Sequence, residues 1–509
     1  MCGIAGFLEE PKASRAHGAT RRAGAMAGTL RHRGPDDSGV WADPDCGVAL
    51  AHRRLSIVDL SPAGHQPMLS ACGRLVLVYN GEIYNHRELR EELAGLGRTF
   101  RGQSDTEVLV EACAAWGVEA TLRRLVGMFA FALWDREART LTLARDRIGL
   151  KPLFWGRFGS LFLFASEIKG LRAHPGWTPE IDPASLAAYL RWGHVPAPNC
   201  IHRGLHKLLP GQLLVVPRHG EPHAVRFWDP IEVATRAQAA RLEFGEAETL
   251  DRLDELLGDA VGRRMIADVP LGAFLSGGID SSLIVALMQS RCHRPVRTFA
   301  IGFDEKRYDE TGHARAVARH LGTDHTELVV EAKDALALVP EIPLWFDEPL
   351  AIRSQIPAMM VSRLARRRVT VALSGDGGDE FFGGYRRYRL HLMEERLRST
   401  LPLGLRRPLF GFLGSVYPKA DWAPRMFRAK TTFEGLARDS VEAYLHSVSI
   451  LRAPMRDQLF SPRLKRDLGG YAASAVFEHH ASRASTDDPL ALIQYLDFKT
   501  YLVGDINTK

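Results

Sequence analysis

Apolar and polar positions divide the chain into two regimes. Through residue 175 or so, apolar residues come in runs of strand length. The run LVLVY at 75–79 predicts a strand that ends at the turn-like Asn80-Gly81. FAFALW at 129–134 and LTLA at 141–144, joined by the polar stretch DREAR, predict a hairpin with apolar residues on both faces. Strands of that kind must be covered on both sides, which predicts sheets stacked between helices. One helix stands out among them, DTEVLVEACAAWG after Ser104. Ser104 suits the N-cap, acids occupy the first turn, and Gly117 marks the end.

Residues 176–245 are richer in Pro, Gly and polar clusters (VPAPNC, LLPGQ, RHGEPH). They read as the tail of a first domain, 1–219, plus a connector to about 245. From 246 the pattern alternates helix and strand. The helix LDRLDELLGDAVGRRM leads to the strand GAFL, the loop SGGID and another helix. VRTFAIGF, TELVV and VTVAL follow as strands separated by helices, and VTVAL runs into the loop SGDGGDE. This alternation predicts an α/β second domain, 246–509, with a doubly wound parallel sheet. Ligands in such sheets bind beyond the carboxyl ends of the strands. No internal repeat or low-complexity tract interrupts either regime.

Composition narrows the classes. A chain of 509 residues is long enough for two or three domains with cores of their own. Its net charge of +6, from 66 basic and 60 acidic residues, is small and scattered, and predicts neither a nucleic-acid groove nor a membrane patch. The densest basic run, Arg366-Arg367-Arg368, ends a helical pattern, where it complements the helix dipole and faces solvent. No apolar run is long enough to span a bilayer, and the one after Cys2 stops at Glu9-Glu10, too short for a signal peptide. Cys2, Cys46, Cys72, Cys113, Cys200 and Cys292 are dispersed, with no CxxC pair and no His at zinc spacing. Neither a disulfide framework nor a structural metal is implied, and a reducing cytoplasm fits this usage.

The opening MCGIAGF carries the first candidate chemistry. An initiator methionine is usually removed before a small residue, so Cys2 would become the chain terminus. Its α-amine, with an ordinary pKa of about 8, would then serve as general base for its own thiol. Gly3 and Gly6 would let the backbone approach its neighbours closely. Alone, a cysteine at position 2 is most often an incidental small residue. RHRGPDDSG (31–39), HRRLSIVDL (52–60), NGEIYN (80–85) and SDTE (104–107) follow it in order. With Cys2 they make this domain resemble the class II glutamine amidotransferases, N-terminal nucleophile hydrolases with a four-layer α/β/β/α sandwich. The resemblance implies that Cys2 attacks the side-chain amide of glutamine and forms a γ-glutamyl thioester. The Asn80 amide and the Gly81 N–H would hold the oxyanion, and Arg54 would grip the substrate α-carboxylate. Asp105 would pair with the α-ammonium, and Glu82 would help position the amide. Each residue alone also has an ordinary reading: a turn, a first-turn acid, a surface arginine.

SGGIDSS (276–282) lies where a strand turns into a helix. Two glycines permit close approach, Ser276, Ser281 and Ser282 offer hydroxyls, and the helix N-terminus favours an anion. No Lys follows the glycines, so it is not a Walker P-loop. Asp280 and Asp379, in loops that follow strands of one sheet, would face each other across Mg2+ on a triphosphate. SGGIDSS, FAIGF and SGDGGDEFFGGY together resemble the ATP pyrophosphatases of the asparagine synthetase family. Behind a class II glutaminase, the arrangement resembles the glutamine-hydrolysing asparagine synthetases over nearly the whole chain. The resemblance implies that ATP adenylates the β-carboxylate of aspartate and releases pyrophosphate. Ammonia made at Cys2 would pass through an internal tunnel to β-aspartyl-AMP, giving asparagine and AMP. It places the nucleotide against Leu275, Ser276, Gly277, Gly278, Ile301, Ser374 and Gly375. Asp376, where many members carry Glu, would handle the aspartyl-AMP intermediate.

Two stretches depart from the family pattern. DEPLAIRSQIP (347–357) stands where the family reads closer to DEPFADSSAIP, with Ile352 and Arg353 replacing small or acidic residues. An arginine there still suits a carboxylate, which leaves free aspartate and another carboxylic acid open as acceptors. DFKTYLVGDINTK resembles the family segment around YLPDDILTK, Asp505 matching a residue expected near the second site. The family pattern continues well past Lys509, so a cut sequence or a natural fragment with exposed apolar surface and weak synthesis, a glutaminase only, is the expectation. The implied partners are small molecules, with a homodimer among the states common in the family. A non-catalytic glutamine- or nucleotide-binding protein is the reading from another class. The intact set Cys2, Arg54, Asn80, Gly81, Glu82 and Asp105 stands against it.

Overall fold

In the computed structural model, which describes residues 1–11, 16–305, 309–418, 429–484 and 486–508, the first domain is built on two six-stranded sheets, antiparallel throughout. One has the order β10-β8-β9-β1-β3-β2, from β1 (Gly3–Leu8), β2 (Asp37–Asp43), β3 (Val48–Arg54), β8 (Phe154–Phe158), β9 (Leu161–Ala165) and β10 (Leu205–Lys207). The other has the order β12-β11-β7-β6-β5-β4, from β4 (Met68–Leu69), β5 (Leu75–Ile83), β6 (Gly127–Asp135), β7 (Thr140–Arg145), β11 (Gln212–Pro217) and β12 (His223–Arg226).

The predicted hairpin is β6–β7, closing with Asp135 opposite Thr140. Its two faces enter different cores. Phe129, Phe131 and Leu133 pack outward with Leu93, Val108 and Leu109 of covering helices. Ala130, Ala132 and Trp134 pack inward with Ile4 and Leu50 of the first sheet. A third core covers the outer face of the first sheet, where Ala5 and Phe7 meet Ala23 and Met26 of the helix Ala16–Gly28. Helix, sheet, sheet, helix is the four-layer sandwich expected, and each large apolar side chain buried in it contributes about 1.5–3 kcal/mol. The helix after Ser104 spans Asp105–Trp116, with the Glu107 N–H donating to the Ser104 hydroxyl at 3.3 Å and Gly117 closing it. It is buried from Asp105 to Cys113, which drives its acidic N-terminus against β5.

Asn80-Gly81 is not a turn. β5 runs through both residues to Ile83, pairing Asn80 with Ala130 and Gly81 with Phe129. A Cβ on residue 81 would stand 2.2 Å from the Met128 carbonyl and 2.8 Å from Phe129 Cα, so close backbone packing selects glycine there. Residues 176–245 also carry more structure than their Pro and Gly content predicts. β10 and β11 extend both sheets, β12 lies beyond residue 219, and the helix Pro183–Trp192 packs on the second domain. Trp192 donates from Nε1 to the Ala473 carbonyl at 2.9 Å.

The second domain holds the expected parallel sheet, β13 (Leu271–Phe274), β14 (Arg297–Phe303), β15 (Asp324–Val330) and β16 (Val371–Leu373), in the order β15-β14-β13-β16. Ala273 and Ala300 face the helices Ile279–Gln289 and Thr311–Leu321, and Phe299 faces the helix Gln355–Arg366 on the other side. Strand order reverses between β13 and β16, the place where such sheets bind ligands. Arg366, Arg367 and Arg368 are exposed, and Arg368 pairs with Asp324 at 2.8 Å. No described helix is long and apolar enough to cross a membrane, and all six cysteines are free thiols.

Two glycines separate packing from propensity. A Cβ on Gly6 would meet the Ala49 carbonyl at 2.5 Å and the Phe164 ring at 2.6 Å, whereas one on Gly95 would meet nothing within 4 Å. Gly6→Ala is expected to destabilise the protein by about 1–3 kcal/mol, and Gly95→Ala, at a helix end, to stabilise it by a few tenths to about 1 kcal/mol. Urea denaturation midpoints of the two variants check both signs.

Candidate active site

A cavity of about 300 Å³ opens at the start of β1, and Cys2, Arg54, Asn80, Gly81, Glu82 and Asp105 all line it. β1 and β3 bring Cys2 and Arg54 from the first sheet, β5 brings residues 80–82 from the second, and the buried helix brings Asp105. Every residue that sequence reasoning assigned to the first site therefore meets in one place.

Cys2 Sγ accepts from the Leu55 N–H at 3.4 Å and lies 3.6 Å from the Leu55 carbonyl. Burial pushes the thiol above its ordinary value, against the pull of the nearby α-amine. That amine belongs to Met1 here, and burial lowers it to about 5. Asn80 is 1% exposed, and neither Nδ2 nor Oδ1 has a hydrogen-bond partner. An unpaired buried amide costs about 1–3 kcal/mol per group, so this one stands ready for a ligand. Asp105 accepts from the Tyr79 hydroxyl at 2.8 Å and the Ile83 N–H at 2.9 Å, yet burial raises its carboxyl. Burial also pushes Glu82 up to about 7, against the attraction of the Lys151 ammonium. Arg54 donates from Nη1 to the Ser61 carbonyl at 3.0 Å and from Nη2 to the Asp59 carbonyl, so the loop behind it fixes its guanidinium.

Sequence reasoning missed three contributors. Lys151, 6% exposed, lines the cavity, and burial lowers its ammonium. A lone lysine in GLKPLF gives no sign of burial. Arg33, inside the quoted RHRGPDDSG, donates from Nε to the Cys2 carbonyl at 2.9 Å. The third is the second domain itself: Thr370, Val371 and Ala372 of its β16 edge complete the cavity wall. Asp268, just before β13, also clamps the loop behind Arg54, its N–H donating to the Ile57 carbonyl at 2.9 Å and its carboxylate accepting from the Asp59 N–H at 2.8 Å.

The loops SGGIDSS and SGDGGDE leave β13 and β16 side by side. The Leu275 N–H donates to the Phe299 carbonyl at 2.9 Å, and Ser276 Oγ accepts from the Gly278 N–H at 3.2 Å and lies 3.0 Å from Ser281 Oγ. Gly277 has φ +80°, and a Cβ there would stand 2.6 Å from the Ala314 nitrogen. Ser282 Oγ is buried without a partner. A Cβ on Gly378 would stand 2.6 Å from Asp280 Cγ, and one on Gly375 would stand 2.8 Å from the Ser281 nitrogen, so the two loops touch. Burial and the negative charge of Asp379 both raise the Asp280 carboxyl. Two repelling carboxylates with a cradle of hydroxyls fit a divalent cation that takes its other oxygens from phosphate and water. Among the described residues, no cluster of three or more His, Cys, Asp or Glu forms a metal cage of its own. Ser374 donates to Asp376 Oδ2 at 2.8 Å, and Asp376 is exposed. The Ile301 side chain packs with Val330 and Met360, and its main chain lies in the β14–β15 ladder opposite Leu328. Asp505 is buried; its N–H donates to the Tyr501 carbonyl at 2.8 Å. The Tyr501 ring lies 6.1 Å from that of Tyr385, whose hydroxyl donates to Glu380 at 2.8 Å. Arg353, the departure noted in DEPLAIRSQIP, is exposed.

Comparison with known proteins gives two adjacent family matches, a glutamine amidotransferase domain over residues 1–228 and asparagine synthase over residues 252–509. A Mycobacterium tuberculosis protein that carries the name asparagine synthetase [glutamine-hydrolyzing] provisionally is 36% identical over 525 residues, spanning 100% of this chain and 78% of its own. Asparagine synthetase [glutamine-hydrolyzing] 1 of Bacillus subtilis is 32% identical over 513 residues, 100% of this chain and 77% of its own. Amidase chry2 of Gibberella zeae is 30% identical over 474 residues, 86% of this chain and 69% of its own.

The raised Glu82 carboxyl predicts a pH dependence. Its ordinary value is 4.5 and its folded value about 7, so within that window the folded chain holds a proton the unfolded chain has released. Stability therefore falls as pH rises through the window, by at most about 3 kcal/mol from this group. Glu82→Gln removes the titration, and its thermal midpoint is expected to fall less between pH 5 and pH 8 than that of the unsubstituted protein. Superimposable pH profiles would contradict this.

Proposed function

The chain belongs to the family of glutamine-hydrolysing asparagine synthetases, ATP-dependent ligases with a glutaminase domain, and we propose that it makes asparagine from aspartate with ammonia released at Cys2. The observation that carries this reading is Asn80: a buried, wholly unpaired amide sharing a cavity with Cys2.

Once Met1 is removed, the α-amine passes to Cys2. That amine, in its neutral form, takes the thiol proton. The thiolate attacks the glutamine amide carbon, and the oxyanion that forms is held by Asn80 Nδ2 and the Gly81 N–H. The protonated amine returns its proton to the leaving nitrogen, ammonia departs, and water hydrolyses the thioester to glutamate. Asp105, aimed by Tyr79 and Ile83, receives the substrate α-ammonium. Arg54 faces the α-carboxylate. Glu82, with its raised pKa, orients the amide without placing a fixed negative charge beside the oxyanion.

In the second domain, Ser276, Gly277, Gly278, Ser281, Ser282, Ser374 and Gly375 hold ATP, with Ser282 Oγ a donor still free for phosphate. Asp280 and Asp379 would hold Mg2+, which neutralises the triphosphate and its pyrophosphate leaving group. Asp376 faces the acyl-adenylate. β16 lines the glutamine cavity with Thr370–Ala372 and leads straight to Ser374, so ammonia has one strand to pass between sites.

A second acceptor class is favoured by one observation, the exposed Arg353 in DEPLAIRSQIP, which suits a carboxylic acid larger than aspartate. AMP release measured with glutamine, ATP and Mg2+ decides between them. Aspartate-dependent AMP and asparagine support the first reading, and AMP formed only with another acid supports the second. Cys2→Ala is expected to abolish glutamate release and glutamine-dependent synthesis while leaving synthesis from ammonium salts. Asn80→Ala is expected to lower the glutaminase kcat by about 10²–10³ with KM little changed. Glutamate release at wild-type rate from either variant would refute the mechanism.

A further inference from the structure

A run of buried and half-buried charges that the mechanism above does not use ties Cys2 to the second domain. Arg33, 8% exposed, holds the Cys2 carbonyl from Nε and donates from Nη1 to Glu167 Oε1 at 2.7 Å. Glu167, 9% exposed, directly follows Ser166, whose N–H donates to the Ile4 carbonyl at 2.8 Å and whose hydroxyl accepts from the Ile4 N–H at 3.0 Å. Its carboxylate therefore stands beside the start of β1. Its second oxygen accepts from Lys169 Nζ at 2.6 Å, and His32 Nε2 lies 3.0 Å from it. Lys169 then crosses the domain boundary, with Nζ 3.1 Å from Asp347 Oδ1 and its main-chain N–H donating to Oδ2 at 2.8 Å. The adjoining residues hold Asp347 in place. Glu348 accepts from the Ile201 N–H at 2.7 Å and pairs with Lys207 at 2.5 Å, and the Ala351 N–H donates to the Gly193 carbonyl at 2.8 Å.

We propose that Asp347 is a positioning residue for the Cys2 nucleophile, acting from the second domain through Lys169, Glu167 and Arg33. It rests on the reading of Cys2 as the glutaminase nucleophile. Signs alternate along the run and its members are largely shielded from water, so each charge is held by its neighbours. The hold of Arg33 on the Cys2 carbonyl sets the rotation of residue 2, which carries both the thiol and the amine that deprotonates it. Removing the Asp347 charge leaves Lys169 to Glu167 alone. Glu167 then turns toward it, and Arg33 moves with Glu167. Misplacing a reacting group by about 1 Å costs rate by up to about 10², without loss of substrate binding. A run that served only to hold the domains together would change stability and leave the nucleophile unaffected.

The test uses the full chain and compares Asp347→Asn, Asp347→Glu, Lys169→Met and the double variant Asp347→Asn/Lys169→Met. Readouts are glutaminase kcat and KM, thermal midpoint, and the rate of Cys2 alkylation by iodoacetamide followed by mass spectrometry. Asp347→Asn is expected to lower kcat about tenfold with KM within about twofold, and to change the alkylation rate in step. Asp347→Glu should restore most of the loss, and the double variant should lose no more than Lys169→Met alone. Should Asp347→Asn fail to fold, the same loss in Lys169→Met carries the test. Wild-type kcat and alkylation rate in the folded variants, or losses that add in the double variant, would overturn the proposal. If the unsubstituted protein alkylates at Cys2 but releases no glutamate, the glutaminase reading fails, and the alkylation comparison still decides the positioning role.

Discussion

The first site depends on how β1 is held. That strand is paired along both edges, to β3 and to β9, and every residue from Gly3 to Leu8 is buried. Where the β9 ladder stops, Ser166 takes over, its hydroxyl and N–H pairing with the Ile4 N–H and carbonyl, so residue 2 leaves the sheet at a single place. Ile4 reaches the core between the sheets, while Ala5 and Phe7 reach the core under the first helix. A slip of one residue would exchange these faces and lose both cores at once. Gly6 lets the flanking strands close to this distance. A thiol on a free chain end would wander; that of Cys2 is fixed by a strand held on both edges.

Such rigidity allows the cavity to hold groups that would otherwise unravel it. Asn80 keeps both polar atoms unpaired, and Glu82, Asp105 and Lys151 are all buried around it. Together they oppose folding by several kcal/mol on ordinary scales. The opposing term is the packing of β5, whose Leu75, Leu77 and Tyr79 enter one core while Val76 and Val78 enter another. Because β5 continues straight through Asn80 and Gly81, these two residues ride on a buried strand of the second sheet instead of on a turn.

That continuation shows where the sequence was legible and where it was not. The β6–β7 hairpin was readable because period-two alternation with no polar face admits one arrangement, a sheet covered twice. The capped helix at Asp105 was readable because Ser104, the acids and Gly117 are local signals. Gly81 misled because a glycine beside an asparagine signals a turn, and its actual cause, the Met128 carbonyl 2.2 Å from the missing Cβ, lies 47 residues away. Lys151, Arg33 and Asp268 stayed hidden for a related reason. A charged residue looks solvated until the fold brings its partner, and those partners, charged or main-chain, come from distant segments or the other domain. Family resemblance located residues that line the cavity; it was silent on those that hold them in place.

The seam between the domains is itself part of the site. Thr370–Ala372 wall the cavity that Cys2 and Asn80 line, and Ser374 begins the second loop one residue after β16 ends. Asp268 clamps the loop behind Arg54 and stands three residues before β13, the strand that feeds SGGIDSS. The two strands that lead into SGGIDSS and SGDGGDE are therefore tied to the first cavity and the loop behind Arg54 at their amino-terminal ends. A shift of β13 or β16 on filling the nucleotide loops has to be felt at Ile57, Asp59 or the cavity wall, since parallel strands packed on both faces move as units. Coupling between glutamine hydrolysis and acceptor activation then needs no long pathway through either core. It follows from building one wall of the first site out of the edge strand of the second domain's sheet.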